Sequence, residues 1–226
     1  MSATMSLASV MTFASSGLYE LSVSVSRKLE MAKAMSGQKT VTPSATSLAA
    51  SVSAAKTRGL PPVEKWNPPF CGDIDMEIKR DGTWFYEGTP IGRRGLVKLF
   101  ASILIREGDK YFLVTPVEKV GIRVEDAPFV AVDFDVLGEG REQKLVFQTN
   151  LDDMASAGAD LPIRVVRDPQ TGEPSPYVRV RRNLEALIDR KSFYRLVDLG
   201  EHHEGWFGVW SNGTFFGVIP SDELPD

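Results

Sequence analysis

Alternating apolar and polar residues mark the first clear element of the chain, at residues 74–80. Side chains along a β-strand point to opposite faces in turn, so this pattern predicts a strand with one buried face. Asp81-Gly82 follows directly and leads into an aromatic run at 83–86. Asp-Gly tolerates the positive φ values of a tight hairpin turn. Residues 74–86 are therefore predicted to form a β-hairpin.

A helical period follows this hairpin. Apolar residues recur at steps of three and four between 96 and 104, which predicts the apolar face of a helix over 89–106. Thr89-Pro90 suits a helix start because threonine can cap the first turn and proline needs no backbone partner there. Arg93 is an alternative start for the same helix.

Short apolar runs bounded by turn residues predict a series of strands after the helix. These strands cover 110–115, 117–124, 129–137 and 144–149. Gly-Glu-Gly at 138–140 predicts the turn between the last two. The polar residues 150–160 are predicted to form a loop.

The last third of the chain returns to the order hairpin, helix, hairpin. Predicted strands cover 163–167, 177–180, 206–210 and 214–219, and the last two flank Asn212-Gly213. Leu184, Leu187 and Ile188 have helical spacing and predict a helix, in two pieces, that reaches residue 199. Asn-Gly is a strong hairpin signal, so the chain is expected to end in a β-hairpin.

The two stretches of hairpin, helix and hairpin also match in sequence. Residues 93–100 and 181–188 share the pattern Arg-Arg-x-Leu-x-x-Leu followed by an apolar residue. This match favours an ancestral duplication, and a chance likeness of two ordinary segments is the alternative. The predicted fold class is α+β, with two packed subdomains at 59–124 and 125–226.

Residues 1–58 differ in composition from the rest of the chain. They contain 13 Ser, 10 Ala and 6 Thr but only two aromatic residues, Phe13 and Tyr19. Such a segment buries too little apolar surface to offset the entropy lost on ordering. We therefore predict a disordered N-terminal tail over 1–58, within which 1–34 is read as upstream sequence and Met35 as an alternative start.

Charge and cysteine usage narrow the classes of function. The net charge is −4, of which the tail carries +4 and the remainder −8. An acidic surface disfavours nucleic-acid binding, which needs positive charge to displace counterions. The single cysteine, Cys71, excludes an intramolecular disulfide, and no run of 18 apolar residues predicts a membrane span. We expect a cytoplasmic protein without a cofactor and without nucleic-acid or membrane partners.

The paired arginines are the strongest candidates for a binding site. Arg93-Arg94 and Arg181-Arg182 lie at or near the starts of the two predicted helices. Cations there oppose the helix dipole, which favours anions, so a phosphate or carboxylate ligand between the halves would relieve the conflict. The alternative is that these arginines pair with carboxylates of the acidic body.

Other constellations carry weaker signals. Residues 115–119 place Glu118 and Lys119 at a strand junction, where they form either part of a pocket or a solvated turn. The adjacent His202-His203 lack the spacing that brings two metal ligands onto one face, so we expect no metal. Cys71 is expected to be a small buried thiol, and no nucleotide-loop, metalloprotease or esterase motif occurs in the chain.

Several longer motifs resemble the bacterial domain of unknown function 1285. They are Trp-Asn-Pro-Pro-Phe-Cys-Gly-Asp-Ile-Asp-Met at 66–76, Asp-Gly-Thr-Trp-Phe-Tyr at 81–86, Tyr-Phe-Leu-Val-Thr-Pro-Val-Glu-Lys-Val at 111–120, Val-Glu-Asp-Ala-Pro-Phe at 124–129 and Leu-Glu-Ala-Leu-Ile at 184–188. The resemblance covers about 60–222. It implies two α+β domains with internal duplication, the later one similar to a pleckstrin-homology barrel, a nucleotide-like ligand at the domain interface, and a role in signal transduction.

The sequence thus predicts a non-catalytic binder of an anionic, nucleotide-like ligand between the subdomains. The candidate contacts are Arg93, Arg181 and Arg182 for charge, Glu118 and Lys119 for orientation, and Tyr86 or Tyr194 for stacking. One alternative is a protein-interaction module that uses the aromatic residues Trp84, Trp206, Trp210, Phe215 and Phe216. The other alternative is an enzyme whose site lies in the same cleft.

Overall fold

The structure is a computed structural model that describes residues 44–54 and 59–224, with the side chains of 52–54 outside the description. Within these ranges lie the helices α1 (Ala45–Ala54), α2 (Arg94–Ser102) and α3 (Arg190–Val197). The strands of the first half are β1 (Phe70–Ile78), β2 (Trp84–Tyr86), β3 (Thr89–Pro90), β4 (Leu104–Glu107), β5 (Lys110–Val114) and β6 (Lys119–Val124). Those of the second half are β7 (Phe129–Leu137), β8 (Lys144–Thr149), β9 (Met154–Ser156), β10 (Ile163–Arg167), β11 (Pro174–Arg181), β12 (Leu184–Ile188), β13 (Glu201–His203), β14 (Trp206–Ser211) and β15 (Thr214–Pro220).

Two six-stranded sheets share one plan. The first sheet has the order β3-β2-β1-β6-β5-β4 and the second has the order β10-β11-β12-β7-β8-β9. In each, two antiparallel three-stranded units join through one parallel pair, β1 with β6 and β12 with β7. The antiparallel strands β13, β14 and β15 form a third sheet. The fold is therefore mixed α+β and mostly sheet, and the predicted hairpins around Asp81-Gly82 and Asn212-Gly213 are confirmed.

Helix α2 covers the core of the first sheet. Its buried residues are Val97, Phe100 and Ala101, and the Phe100 ring stacks on Trp84 with 6.4 Å between centroids. The predicted helix over 89–106 is too long at both ends. Thr89 and Pro90 form β3 instead, and Leu104 begins β4 because it gains a cross-strand partner on β5.

Helix α1 lies inside the segment that the composition assigned to a disordered tail. Leu48 is fully buried and Ala45 and Ala49 pack against the core. The Ser44 hydroxyl accepts a hydrogen bond from the Ser47 backbone N–H at 3.2 Å, which satisfies a free donor at the helix start. The prediction of disorder is therefore wrong for 44–54, whereas 1–43 and 55–58 lie outside the described residues.

The second sheet corrects two further predictions. Residues 154–156 form β9 rather than a loop, and Ala155 is buried against the sheet. Residues 184–188 form β12 rather than a helix, since every second residue is buried and the strand pairs in parallel with β7. The second piece of that predicted helix is confirmed as α3, whose N-cap Asp189 accepts a hydrogen bond from the Ser192 N–H at 2.8 Å.

The proposed repeat does not survive as it was aligned. The aligned segments are 93–100, which enters α2, and 181–188, which contains β12. Because one segment forms a helix and the other a strand, the shared arginine and leucine pattern does not support a duplication. The likeness of the second subdomain to a pleckstrin-homology barrel stays a prediction. None of the helices within 44–54 and 59–224 is long and apolar enough to cross a membrane.

Candidate functional site

Arg181 lies at the end of β11, where it joins the second sheet to α2. One guanidinium nitrogen donates to the Ala101 carbonyl at 2.9 Å, and another lies 2.8 Å from an Asp153 carboxylate oxygen. The guanidinium also stands 4.7 Å from the centre of the Phe129 ring. The side chain is only 12% exposed. Arg181 is therefore a tie between the halves, and the prediction that it begins a helix is wrong.

Arg182 occupies the turn between β11 and β12 with a positive φ of 50°. Its guanidinium donates to the Glu64 carboxylate and, at 3.5 Å, to the Pro61 carbonyl. The hydrogen bond from Arg182 lowers the pKa of Glu64 below its usual value. This arginine thus binds a carboxylate of the chain's own entry segment.

The first arginine pair also faces an internal carboxylate. Arg94 donates to Asp152 at 2.6 Å, and Lys98 binds the other oxygen of the same carboxylate. The hydrogen bonds from Lys98 and then Arg94 lower the pKa of Asp152. Arg93 is exposed at the N-cap of α2. One arginine of each predicted pair, Arg94 and Arg181, therefore binds the turn that carries Asp152 and Asp153, as in the alternative of pairing with the acidic body.

Glu118 and Lys119 are neighbours in sequence but lie in different surroundings. Glu118 is 8% exposed, and burial raises its pKa. Lys119 binds the Glu107 carboxylate, and its ammonium stands 4.3 Å from the centre of the Phe112 ring. Tyr86 is half-buried in β2 and packs against the core. The structure does not bring these three side chains together with the arginines.

Tyr194 is the predicted contact that borders a cleft between the two halves. This cleft has a volume of about 410 Å³, and we call it the interdomain cleft; its walls include Arg80, Ser175, Arg190 and Tyr194. Arg80 follows β1 and donates to the Ser175 hydroxyl at 3.0 Å. Tyr194 is 58% exposed on α3.

Arginines from both halves face the interdomain cleft. Arg80 lies 3.4 Å from Asp126 and is 55% exposed, whereas Arg190 is 77% exposed and lies 3.9 Å from Glu173. The Arg190 contact is long and both partners are exposed, and such a pair contributes little to stability. The Arg190 guanidinium can therefore turn toward a ligand at low cost, whereas Arg80 also donates to Ser175 at 3.0 Å and faces the Asp126 carboxylate, which is 17% exposed.

Family models match almost the whole described body. The N-terminal domain of DUF1285, a domain of unknown function, matches 61–127, and the C-terminal domain of DUF1285 matches 128–218. The chain belongs to the DUF1285 family. None of the curated proteins compared with the chain matches it.

Two solved DUF1285 structures are similar to this chain. The DUF1285 family protein from Silicibacter pomeroyi DSS-3 is 64% identical, with a TM-score of 0.74, over 78% of this chain and 97% of that one. The DUF1285 family protein from Shewanella baltica OS155 is 33% identical, with a TM-score of 0.44, over 54% of this chain and 90% of that one. The family models and the 64% identical relative show that the chain is a DUF1285 protein, and the family description gives no function.

Residues of both DUF1285 domains line the interdomain cleft. Arg80 belongs to the N-terminal DUF1285 domain, and Ser175, Arg190 and Tyr194 belong to the C-terminal one. Sequence reasoning missed Arg80 and Arg190 because neither lies in a recognisable binding motif. Only the contact of the two domains makes them neighbours of one cleft.

Most of the aromatic residues of the predicted protein-interaction module are not available on the surface. Trp84 and Phe216 are buried, with 1% and 7% exposure, whereas Trp206 is 46% exposed. Trp210 and Phe215 pack on each other with 5.2 Å between ring centroids. A single exposed tryptophan is ordinary on a protein surface and does not make an interaction patch.

The cysteine and histidine residues support no further site. Cys71 is exposed, which corrects the expectation of a buried thiol. His202 accepts from or donates to the Ser221 hydroxyl at 2.8 Å, and His203 packs on the Trp210 ring with 4.8 Å between centroids. Among the described residues, no group of three or more His, Cys, Asp and Glu side chains is placed to hold a metal ion.

Proposed function

We propose that this DUF1285 protein is a non-catalytic binding module that takes an anionic, nucleotide-like small ligand in the interdomain cleft and serves in signalling. The observation that supports it most is that Arg80 and Arg190, one from each domain, both line the interdomain cleft. A ligand that bridges them would couple its own binding to the contact between the domains.

The chemistry of the walls suits a phosphate joined to a planar ring. Guanidinium groups bind phosphate through two parallel hydrogen bonds. Arg190 is the first residue of α3 and lies next to the N-cap residue Asp189. Tyr194 exposes its ring beside them and can stack on a base. The volume of about 410 Å³ lies within the range of small-molecule sites.

The other predicted contacts take indirect roles in this proposal. Arg181 and Arg182 belong to the C-terminal domain and bind Ala101 and Glu64 of the N-terminal domain, so they support the contact between the domains and do not line the cleft. Arg93, Glu118, Lys119 and Tyr86 border neither wall of the interdomain cleft. Their direct contact with a ligand stays a prediction with no geometric support.

An enzymatic function is the weaker alternative. Catalytic sites gather groups with perturbed pKa values in one cleft. Burial raises the pKa of Glu118 and of Tyr111, and burial together with the hydrogen bond to Asp126 raises the pKa of Tyr177 to about 12. These three groups lie outside the interdomain cleft, so binding is the better-supported function.

Calorimetry on the full chain tests the proposal with ATP, GMP and inorganic pyrophosphate as probes. We expect binding of at least one nucleotide, and a roughly tenfold weaker affinity for Arg190→Ala, because one charge-assisted contact is lost. Arg141→Ala is the matched control, since Arg141 is similarly exposed but lies on Trp210. Absence of heat with all three probes, or equal losses in both variants, would refute the proposal.

A further inference from the structure

A second cleft opens on one face of the first sheet, across β1, β6 and β5. It has a volume of about 810 Å³, and its lining includes Phe70, Asp73, Phe112, Lys119 and Gly121. We call it the first-sheet cleft. It lies wholly within the N-terminal DUF1285 domain, so it is independent of the interdomain cleft and of the function proposed there.

An irregularity in β1 between Phe70 and Asp73 directs both side chains into this cleft. Phe70 pairs with Lys119 and Asp73 pairs with Gly121. Over this interval β1 advances by three residues and β6 by two, so β1 contains one extra residue. In a regular strand, residues three apart point to opposite faces. The extra residue lies by Gly72, whose φ is +96°, and it brings Phe70 and Asp73 to the same cleft. Bulges that re-aim side chains are common beside binding sites.

The floor of the cleft is a row of three residues on neighbouring strands. Asp73, Gly121 and Phe112 pair across β1, β6 and β5. A Cβ atom on Gly121 would lie 1.9 Å from the Oδ1 of Asp73. The absence of a side chain at Gly121 therefore leaves the space that the Asp73 carboxylate occupies, in the cleft that Phe112 also lines.

The aromatic wall of the cleft is open to a ligand. Phe70 is 57% exposed, and its ring meets Phe112 edge to face with 6.0 Å between centroids. The Lys119 ammonium already stands over the Phe112 ring. This contact is a cation–π interaction within the same cleft, and it leaves the exposed Phe70 ring for another group.

Carboxylates outnumber basic side chains by one in the lining of the cleft. Four carboxylates and three basic side chains line it. Two of the bases are engaged by carboxylates of the same sheet, Lys119 by Glu107 and Arg123 by Asp75. Among the described residues, the Asp73 side chain has neither an ion pair nor a hydrogen bond. Asp73 is thus the charge on the floor that a ligand can neutralise.

We propose that the first-sheet cleft binds an organic cation, an amine or quaternary ammonium joined to an apolar or aromatic group. Its ammonium pairs with the Asp73 carboxylate and lies against the Phe70 ring, while its apolar part fills the space beside Phe112. A carboxylate meeting the positive end and an aromatic ring meeting its face are the two contacts that recognise such a group. An anionic ligand would meet Asp73 with like charge.

Binding of three matched probes to the full chain tests this site. Phenethylamine, 2-phenylethanol and phenylacetate share one ring and differ in charge. We expect phenethylamine to bind with a dissociation constant of about a millimolar, reasonable for so small a ligand, and to shift backbone amide NMR signals of β1, β5 and β6. Equal or tighter binding of either other probe, shifts elsewhere, or no shift at all overturns the proposal.

Three variants assign the recognition to named residues. Asp73→Asn keeps the shape, removes the charge, and should weaken phenethylamine binding about tenfold. Asp160→Asn removes the same charge from an exposed position outside the cleft and should leave binding unchanged. Should Asp73→Asn fail to fold, Phe70→Leu removes the exposed aromatic face and should weaken binding several-fold. Unchanged affinity in a folded Asp73→Asn or Phe70→Leu protein contradicts the assignment.

Discussion

Replacing Arg181 by alanine tests whether this residue stabilises the fold by linking the two halves or serves as a ligand contact. Arg181→Ala removes the hydrogen bond to the Ala101 carbonyl, the ion pair with Asp153 and the contact with the Phe129 ring. The side chain is 12% exposed and that of Asp153 is 28% exposed. The variant thus leaves a carboxylate that is mostly removed from water without its partner.

The expected loss follows from these contacts. Breaking a buried ion pair by removing one partner costs about 3–5 kcal/mol, and partial exposure of Asp153 places this pair at the low end. We expect Arg181→Ala to lower the free energy of unfolding by about 3 kcal/mol. Arg181→Lys keeps the charge but cannot reach both partners with a planar fork, so it should lose about half as much.

Urea unfolding followed by tryptophan fluorescence measures this change. The midpoint should fall with an unchanged slope, because a constant slope means that the same surface is exposed on unfolding. Arg190→Ala is the control, and its 77% exposed side chain predicts a change within about 0.5 kcal/mol. A loss below about 1 kcal/mol for Arg181→Ala, or a loss equal to that of Arg190→Ala, would refute the role as a tie.

Two further predictions concern a buried carboxyl and helix α1. Burial raises the pKa of Glu118 above its usual 4.5; folding therefore favours the protonated form, and stability is lost as pH rises from 4.5 through the folded pKa. Glu118→Gln should stabilise the protein at pH 7 but not at pH 4 in thermal melts, and an equal difference at both pH values would contradict this. Leu48→Ala should lower the free energy of unfolding in urea by about 2–4 kcal/mol, since Leu48 is fully buried. Ala49→Ser in the same helix is the milder control. A negligible loss for Leu48→Ala would mean that α1 does not pack on the core.

The two clefts offer the DUF1285 fold two chemically distinct openings. The interdomain cleft carries Arg80 and Arg190 and needs both domains, whereas the first-sheet cleft carries Asp73 and lies in one domain. Probes of opposite charge therefore separate them. Loss of nucleotide binding in Arg190→Ala leaves the cation site untouched, and the converse holds for Asp73→Asn.

Local patterns were sufficient at tight turns, where glycine can adopt the positive φ that the turn requires. Asp81-Gly82 and Asn212-Gly213 predicted hairpins, and the structure forms them there. A positive φ at glycine is a property of the residue itself and needs no distant partner. The motifs around these turns were also long enough to indicate the family.

Spacing alone failed where two structures fit the same residues. Leu184, Leu187 and Ile188 suit a helix face, but in the structure burial alternates along this segment as it does in a strand. Its parallel partner β7 lies far away in the sequence. Pairing with that strand buries Leu184, Ala186 and Ile188. A long-range partner decided the element, and with it the failure of the repeat alignment.

The candidate sites depended most on tertiary structure. The sequence by itself determined the mixed α+β class, the main hairpins, the acidic body and the pairs of arginines, because these follow from composition and from local backbone preference. Only the folded chain decided which charges are already paired: Arg181 and Arg182 bind internal carboxylates, whereas Asp73 does not. Whether a charge is free for a ligand depends on neighbours brought together by distant parts of the chain, and no local pattern specifies those neighbours.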